Sequence, residues 1–378
     1  MTNINSTRGT NFSTLCNKSV GYEMNWVSSP IGLKAFKLTV QVTIAFFGVV
    51  GNILICCVVS KSTNMRSRTY YYIACLAVAD LGVLLVNFPL AIVKEQMLFR
   101  WPFGEFSCLY IYPITDIFFG ASIWSIAVIA IDRYRSIVRE IMIQRRSNSN
   151  SRKSTFFAIC SVWVTSFAVV NLPLYFVIDY NPKMQVCFLR WSPSKIGSFL
   201  RDSYMVILVI FLYILPLTII TFTYCCISRR LQASNTFLKS LRREKNTLKE
   251  QRNKSEFLKN EEKKILKKNK KAKKILTPLV LIFAVSMLPL NVFRLAMTFE
   301  PRIIAWNHYW TCFTVVIVFT VINSSCNPIV YAIVCKEFRK GLRELLLCQS
   351  VQKRHKKTID LHLLTKSTQR TRPTLFQP

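Results

Sequence analysis

Acidic residues are scarce in this chain: its 378 residues carry 18 Asp and Glu against 51 Lys and Arg, a formal charge of +33. Charge of either sign is also sparse, at 18% of residues against the roughly 25% usual in soluble globular domains. With 51% hydrophobic residues, that balance argues against an ordinary soluble enzyme. A nucleic-acid binder would gather its basic residues on one folded soluble module, whereas here they lie between long apolar runs. Disorder over most of the chain is excluded by 27 Phe, 14 Tyr and 7 Trp. The first 30 residues lack the apolar stretch of a cleavable signal peptide, so the first apolar run is expected to act as the signal. Internal repeats and charged or broken helices lining a path are also missing, which disfavours a channel or transporter.

What is present is apolar length. A lipid-crossing helix needs about 20 mainly apolar residues, because a rise of roughly 1.5 Å each must cover about 30 Å of hydrocarbon. Seven windows qualify: Ala35–Ser60, Thr69–Val93, Phe106–Ile137, Thr155–Phe176, Ser203–Ser228, Lys274–Thr298 and Tyr309–Val334. Short cytoplasmic loops carry the excess of Lys and Arg. Lys61–Arg68, Arg133–Lys153, Arg229–Lys274 and the stretch after Lys336 hold 39 of the 51 basic residues. These four segments therefore belong in the cytoplasm, which places the first residue outside and the last inside. The sequons at Asn5, Asn11 and Asn17 agree, since they are glycosylated only in the lumen, whereas a fourth at Asn253 is expected to stay bare.

The expected organisation is an outer glycosylated segment over 1–34, a seven-helix bundle over 35–335, a juxtamembrane helix over 336–348 and a loose tail over 349–378. The basic loop 229–274 has no Gly or Pro, so it either extends the flanking helices or remains a solvated basic run against anionic lipid. Lys336–Leu347 alternates apolar and basic residues at helical spacing, as an interfacial helix does. Cys348 at its end is a palmitoylation candidate, with an unmodified cysteine as the alternative.

Ionisable residues inside apolar windows are costly and therefore informative. Asp80 lies near the middle of the second window and needs partners. Asn52, Ser122, Asn323, Ser324 and Asn327 are the polar groups available from other windows. One carboxylate among oxygens suits sodium or a water network better than a transition metal.

Several motifs, each on its own window, carry a family resemblance. They are Gly51-Asn52; Leu76-Ala77-Val78-Ala79-Asp80; Asp132-Arg133-Tyr134; Trp163 with Pro173; Pro216 with Tyr224; Pro289; and Asn327-Pro328-Ile329-Val330-Tyr331. In this combination the chain resembles the rhodopsin-like (class A) G-protein-coupled receptors from about Gly51 to Phe338. The resemblance implies an all-α seven-transmembrane bundle with a short eighth helix, a receptor and not an enzyme. It needs no cofactor, and sodium at Asp80, Ser122, Asn323, Ser324 and Asn327 is the allosteric ion.

It also implies a switch. Asp132 neutralises Arg133 at rest; activation frees Arg133 toward Tyr224 and Tyr331 while the sixth helix swings outward to admit a G protein. Pro216, Ile123 and Phe283 match the packed connection between ligand pocket and cytoplasmic half. Arrestin, a receptor kinase and membrane lipid are the further partners implied. Cys108 and Cys187 match the family's disulfide, while Cys16 and Cys312 leave a second bridge open. The sixth window departs from the pattern: Ser286-Met287 stands where most members have Cys-Trp, so a Trp-based toggle is not carried over.

The ligand is narrowed by two further absences. Thr115 stands where monoamine receptors carry their aspartate, and the seventh window has no lysine for a retinal Schiff base. Trp101-Pro102-Phe103-Gly104 and a second loop long enough for a hairpin lid resemble neuropeptide receptors most, with a non-peptide ligand as the alternative. Asp116, Thr115, Phe119, Arg294, Asn291, Met287 and Glu95 are the expected ligand contacts. Asp116, about 12 Å down the third helix from Cys108, is expected to meet a peptide cation, and Arg294 the carbonyl or acidic end.

Overall fold

The computed structural model describes residues 30–61, 67–98, 100–139, 150–244 and 252–346. Seven helices long and apolar enough to cross a membrane lie among them: α1 (Ile31–Lys61), α2 (Arg68–Gln96), α3 (Gly104–Ser136), α4 (Lys153–Tyr175), α5 (Lys195–Arg230), α6 (with its span at Thr277–Phe299) and α7 (Tyr309–Val334). A further helix, α8 (Lys336–Leu346), follows. All but one begin within four residues of the sequence-derived windows. The largest shift is at α5, which starts at Lys195 because Ser194 caps it, its hydroxyl accepting from the Gly197 amide at 3.0 Å. Lys195, Ser198, Arg201 and Asp202 make that first part polar, which hid it from a search for apolar length. Beyond the spans α5 continues to Glu244 and α6 begins at Arg252, so much of the basic loop is helical. The sequons at Asn5, Asn11 and Asn17, Cys16, and Cys348 lie outside the described residues.

The bundle is organised around α3 and α7, whose apolar windows are 61% and 56% buried, against 28% for α1, α4, α5 and α6. The outer helices therefore turn Phe46, Phe47, Phe156, Phe157, Phe222 and Leu281 outward, an apolar belt suited to lipid. One core cluster runs from Ile123, Ile126 and Ala130 on α3 to Leu212 and Ile220 on α5, Phe283 and Met287 on α6 and Tyr331 on α7. Along α8, Phe338 is buried and Leu342 and Leu345 pack beside it, while Lys336, Arg339, Lys340 and Arg343 are exposed. Arg339 donates to the carbonyls of Ala332 (3.1 Å) and Ile333 (2.5 Å), satisfying the end of α7.

Four of the spans contain a π-helical segment: Val83–Asn87, Ser107–Ile111, Phe167–Asn171 and Ile210–Ile214. Each stops two residues before a proline, at Pro89, Pro113, Pro173 and Pro216. Proline has no amide hydrogen for the carbonyl one turn back and its ring crowds that carbonyl, so the local ladder widens. On α2 and α3 this happens beside the outer cavity described below.

Close approach is set by small residues. A Cβ on Gly82 would lie 2.2 Å from ring carbons of Phe118 on α3. Helix propensity favours alanine over glycine by about 0.5–1 kcal/mol, whereas overpacking costs about 1–3 kcal/mol. Gly82→Ala is therefore expected to lower the thermal midpoint of the detergent-solubilised receptor; a midpoint at or above wild type would show that Phe118 yields without cost.

Candidate ligand cavity and switch

The outer lid is a hairpin of β1 (Ile178–Asn181) and β2 (Val186–Leu189), antiparallel with Tyr180 opposite Cys187. Asn181 forms its turn, Oδ1 accepting from the amides of Lys183 (3.0 Å) and Met184 (3.2 Å). Cys187 is bonded to Cys108 at the top of α3, with Cα atoms 5.6 Å apart. Trp101 is buried beside this anchor; its amide donates to the Gln185 carbonyl at 2.6 Å and its indole to the Gly104 carbonyl at 3.2 Å. Cys312 is a free thiol among the described residues.

Beneath the lid lies a cavity of about 510 Å³. Its wall is largely apolar and aromatic, with Phe188 and Leu189 from the lid, Leu290, Phe293 and Met297 from α6, and Tyr309, Trp310 and Phe313 from α7. Asp116, Thr115, Phe119 and Arg294 all line it. Thr115 donates to the Tyr112 carbonyl at 2.8 Å, so its hydroxyl is engaged within its own helix. The Arg294 guanidinium lies 5.8 Å from the centre of the Phe119 ring, and its buried Nη1 has no hydrogen-bond partner.

Three of the expected ligand contacts are placed elsewhere. Met287 is fully buried in the core, one turn below Leu290, and Asn291 lies beside the cavity face of α6, donating to the Met287 carbonyl at 2.7 Å. Glu95 is occupied in tying helices together. Its carboxylate accepts from Thr314 on α7 at 2.6 Å and from Gln41 on α1 at 3.4 Å. The expectation for Asp116 also changes. Its Oδ1 accepts from Asn87 on α2 at 3.1 Å, and Arg294 and Lys94 are its cationic neighbours, so its charge is answered within the protein. At the rim, Asp179 holds Arg190 at 2.5 Å.

Sequence reading missed Lys94, Asn87, Tyr112 and Arg201. Lys94 donates to the Tyr112 hydroxyl and stands 3.8 Å from the centre of that ring. One signal pointed to it: a lysine at the outer end of a span, against the inward bias of the other basic residues.

Deeper in the bundle, Asp80 is fully buried. Ser122 on α3 donates to its Oδ1 at 2.6 Å and Asn327 on α7 to its Oδ2 at 2.7 Å, with Ser324 also beside it. Ser286 donates to Asn323 Oδ1 at 3.1 Å. Asn52 donates to the carbonyls of Gly48 (2.9 Å) and Ser324 (3.1 Å), leaving its buried Oδ1 and the Ser325 hydroxyl without partners. Of the five expected residues, Asp80, Ser122, Ser324 and Asn327 thus meet in one polar cluster of oxygens and amides, while Asn323 is engaged by Ser286. No cluster of three or more His, Cys, Asp and Glu occurs among the described residues. Such a donor set fits a hard monovalent or divalent cation and not a soft one.

At the end of the bundle away from the lid, Asp132 accepts a hydrogen bond from Thr69 on α2 at 2.7 Å. The expected Asp132–Arg133 contact is not formed among the described residues, because Asp132 turns to α2 and is taken up by Thr69. Arg133 instead has Tyr70 and Tyr331 as electrostatic neighbours. The Tyr331 hydroxyl is buried without a partner. Tyr134 packs near Phe222, their rings 6.5 Å apart. Higher up, Ile123 and Phe283 share the main core, Pro216 is buried on α5, and the Tyr213 hydroxyl ties α5 to α6 by donating to the Ala284 carbonyl at 3.0 Å.

A seven-helix bundle with a disulfide-anchored lid, an outer cavity and an Asp-Arg-Tyr end on its central helix defines a receptor class and not an enzyme. The chain belongs to the 7 transmembrane receptor (rhodopsin family), whose sequence model matches residues 51–331, and it is a multi-pass plasma-membrane protein. It is 28% identical to human neuropeptide Y receptor type 2 over 320 residues, covering 81% of this chain and 75% of the relative. The mouse neuropeptide Y receptor type 2 is 29% identical over 321 residues, with 81% and 75% covered. Sheep adenosine receptor A3 is 29% identical over 321 residues, covering 82% of this chain and 91% of that protein.

Proposed function

We propose that this receptor binds an extracellular peptide in the cavity beneath the β1–β2 lid and activates a heterotrimeric G protein by outward movement of α6. The observation that carries the peptide reading is the cavity wall: about 510 Å³ faced by aromatic and aliphatic side chains, with Lys94, Asp116, Arg201 and Arg294 among them. Peptide side chains and termini supply both kinds of contact. The similarity to neuropeptide Y receptor type 2 supports the same reading. In this reading Phe119 and Arg294 touch the ligand, Asp116 and Thr115 line the cavity beside them, and Met287, Asn291 and Glu95 support the helices around it. The amino terminus lies outside with glycans on Asn5, Asn11 and Asn17, and the carboxyl terminus lies in the cytoplasm with a palmitoyl group on Cys348. There it meets G protein, arrestin and receptor kinase. Sodium is held by Asp80 with Ser122, Asn323, Ser324 and Asn327.

A second reading has one specific observation behind it: adenosine receptor A3 matches at similar identity, so a nucleoside-sized ligand is the competitor. Both are tested together. Cells expressing the chain are exposed to short peptides, amidated and free-acid, and to nucleosides, and nucleotide exchange is followed on several G proteins. Exchange evoked by a peptide and blocked by neutralising cavity charges is the expected outcome. Exchange evoked only by nucleosides would replace the peptide reading.

A further inference from the structure

The charges around the cavity do not balance. Three cationic side chains line it, Lys94, Arg201 and Arg294, against one carboxylate, Asp116. Arg201 is matched by its neighbour Asp202 at 2.9 Å. Lys94 and Arg294 then share Asp116, which already accepts from Asn87. Neither forms an ion pair with it within hydrogen-bonding reach among the described residues, and Arg294 Nη1 remains buried with no partner. One positive charge is left over in an apolar chamber.

We propose that the ligand docks through a carboxylate, received by Arg294 with Lys94 beside it, and that Asp116 is an internal counter-ion. This rests on the reading of the cavity as the ligand site. A guanidinium matches a carboxylate with two parallel N–H···O bonds, which an amide or a cation does not offer. A ligand cation at Asp116 would place a third positive charge beside Lys94 and Arg294, a like-charge arrangement that is strongly unfavourable when desolvated. The surroundings describe the rest of the ligand. Phe119 lies against the Arg294 guanidinium, and on the same wall Phe293 packs on Tyr309 and Phe313 with ring centres 5.6 and 6.3 Å away. A carboxylate attached directly to an aromatic or aliphatic body fits this arrangement. The free carboxyl end of a peptide and a fatty acid both have that chemistry.

The test uses the full-length receptor in lipid nanodiscs and two probe pairs: dansyl-Phe-Leu-Phe as free acid and as carboxamide, and decanoate and decanamide as competitors. Saturable dansyl fluorescence is expected to show the acid binding about tenfold or more tightly than the amide, the range of a charge-assisted pair. Arg294→Gln should reduce that preference to less than about threefold, Arg294→Lys should retain part of it, and Lys94→Gln should weaken it less than Arg294→Gln. Thermal midpoints confirm that each variant is folded, and the Lys94 variant carries the test if Arg294→Gln is not. Equal binding of acid and amide, no saturable binding of any probe, or an unchanged preference in the folded variants would overturn the proposal. Saturable binding of radiolabelled decanoate, with no binding of the peptide acid, would uphold the carboxylate site and remove the peptide reading of the function. G-protein coupling is not read in this assay, so its failure elsewhere leaves the result intact.

Discussion

Arg133→Ala is expected to reduce agonist-evoked nucleotide exchange to the level of cells without receptor, while surface expression and agonist binding stay within about twofold of wild type. The separation of effects follows from the local geometry. Asp132 takes its hydrogen bond from Thr69 at 2.7 Å and not from Arg133, so removing the arginine does not strand a buried carboxylate. Breaking a buried pair by deleting one partner costs about 3–5 kcal/mol, and that penalty is avoided here. Arg133 sits at the end of the central helix away from the lid with Tyr70 and Tyr331 as electrostatic neighbours, and in the proposed mechanism it meets the G protein once α6 has moved. The agonist found in the peptide screen, applied to membranes with surface receptor counted by an extracellular tag, gives the measurement. Normal exchange in Arg133→Ala would take this residue out of the mechanism.

The second large effect is expected at Asp80. Sodium should lower agonist affinity in the wild type by about tenfold, within the usual span of allosteric coupling of about 1–3 kcal/mol, and Asp80→Asn should abolish that dependence. The mutant keeps a side chain of the same shape. Ser122 still has a carbonyl oxygen to donate to, whereas the charge that would hold a cation is gone. Agonist competition curves in sodium chloride and in an equal concentration of N-methyl-D-glucamine chloride separate site binding from general screening. A mutant as sodium-sensitive as wild type would place the ion elsewhere. By reciprocity, agonist must weaken sodium binding by the same factor.

Much of the molecule was legible before any coordinates. Transfer into lipid is a nearly additive property of consecutive residues, so seven spans could be read from apolar length. A lone carboxylate in such a span also announces itself, because it cannot remain there without partners, and Ser122, Ser324 and Asn327 are among the groups found beside Asp80. The start of α5 was less legible: Ser194, Lys195, Arg201 and Asp202 are polar, and the cap and pair that make them helical are not visible in a hydropathy window.

Thus the amino-acid sequence alone determined the bundle and the central carboxylate, since the first depends on a property summed along each helix and the second is forced by burial. Which side chains face one another was decided only in three dimensions. Met287 and Arg294 lie on the same helix, yet one is sealed in the core and the other lines the cavity; a difference of two turns separates them. Glu95 and Lys94 are consecutive, yet Glu95 turns to Thr314 and Gln41 while Lys94 turns to Tyr112. Contacts of about 3 Å require helices to be placed to within a fraction of that distance, and helix packing, the proline-widened turns of α2 and α3 and the rotamers that follow set that placement.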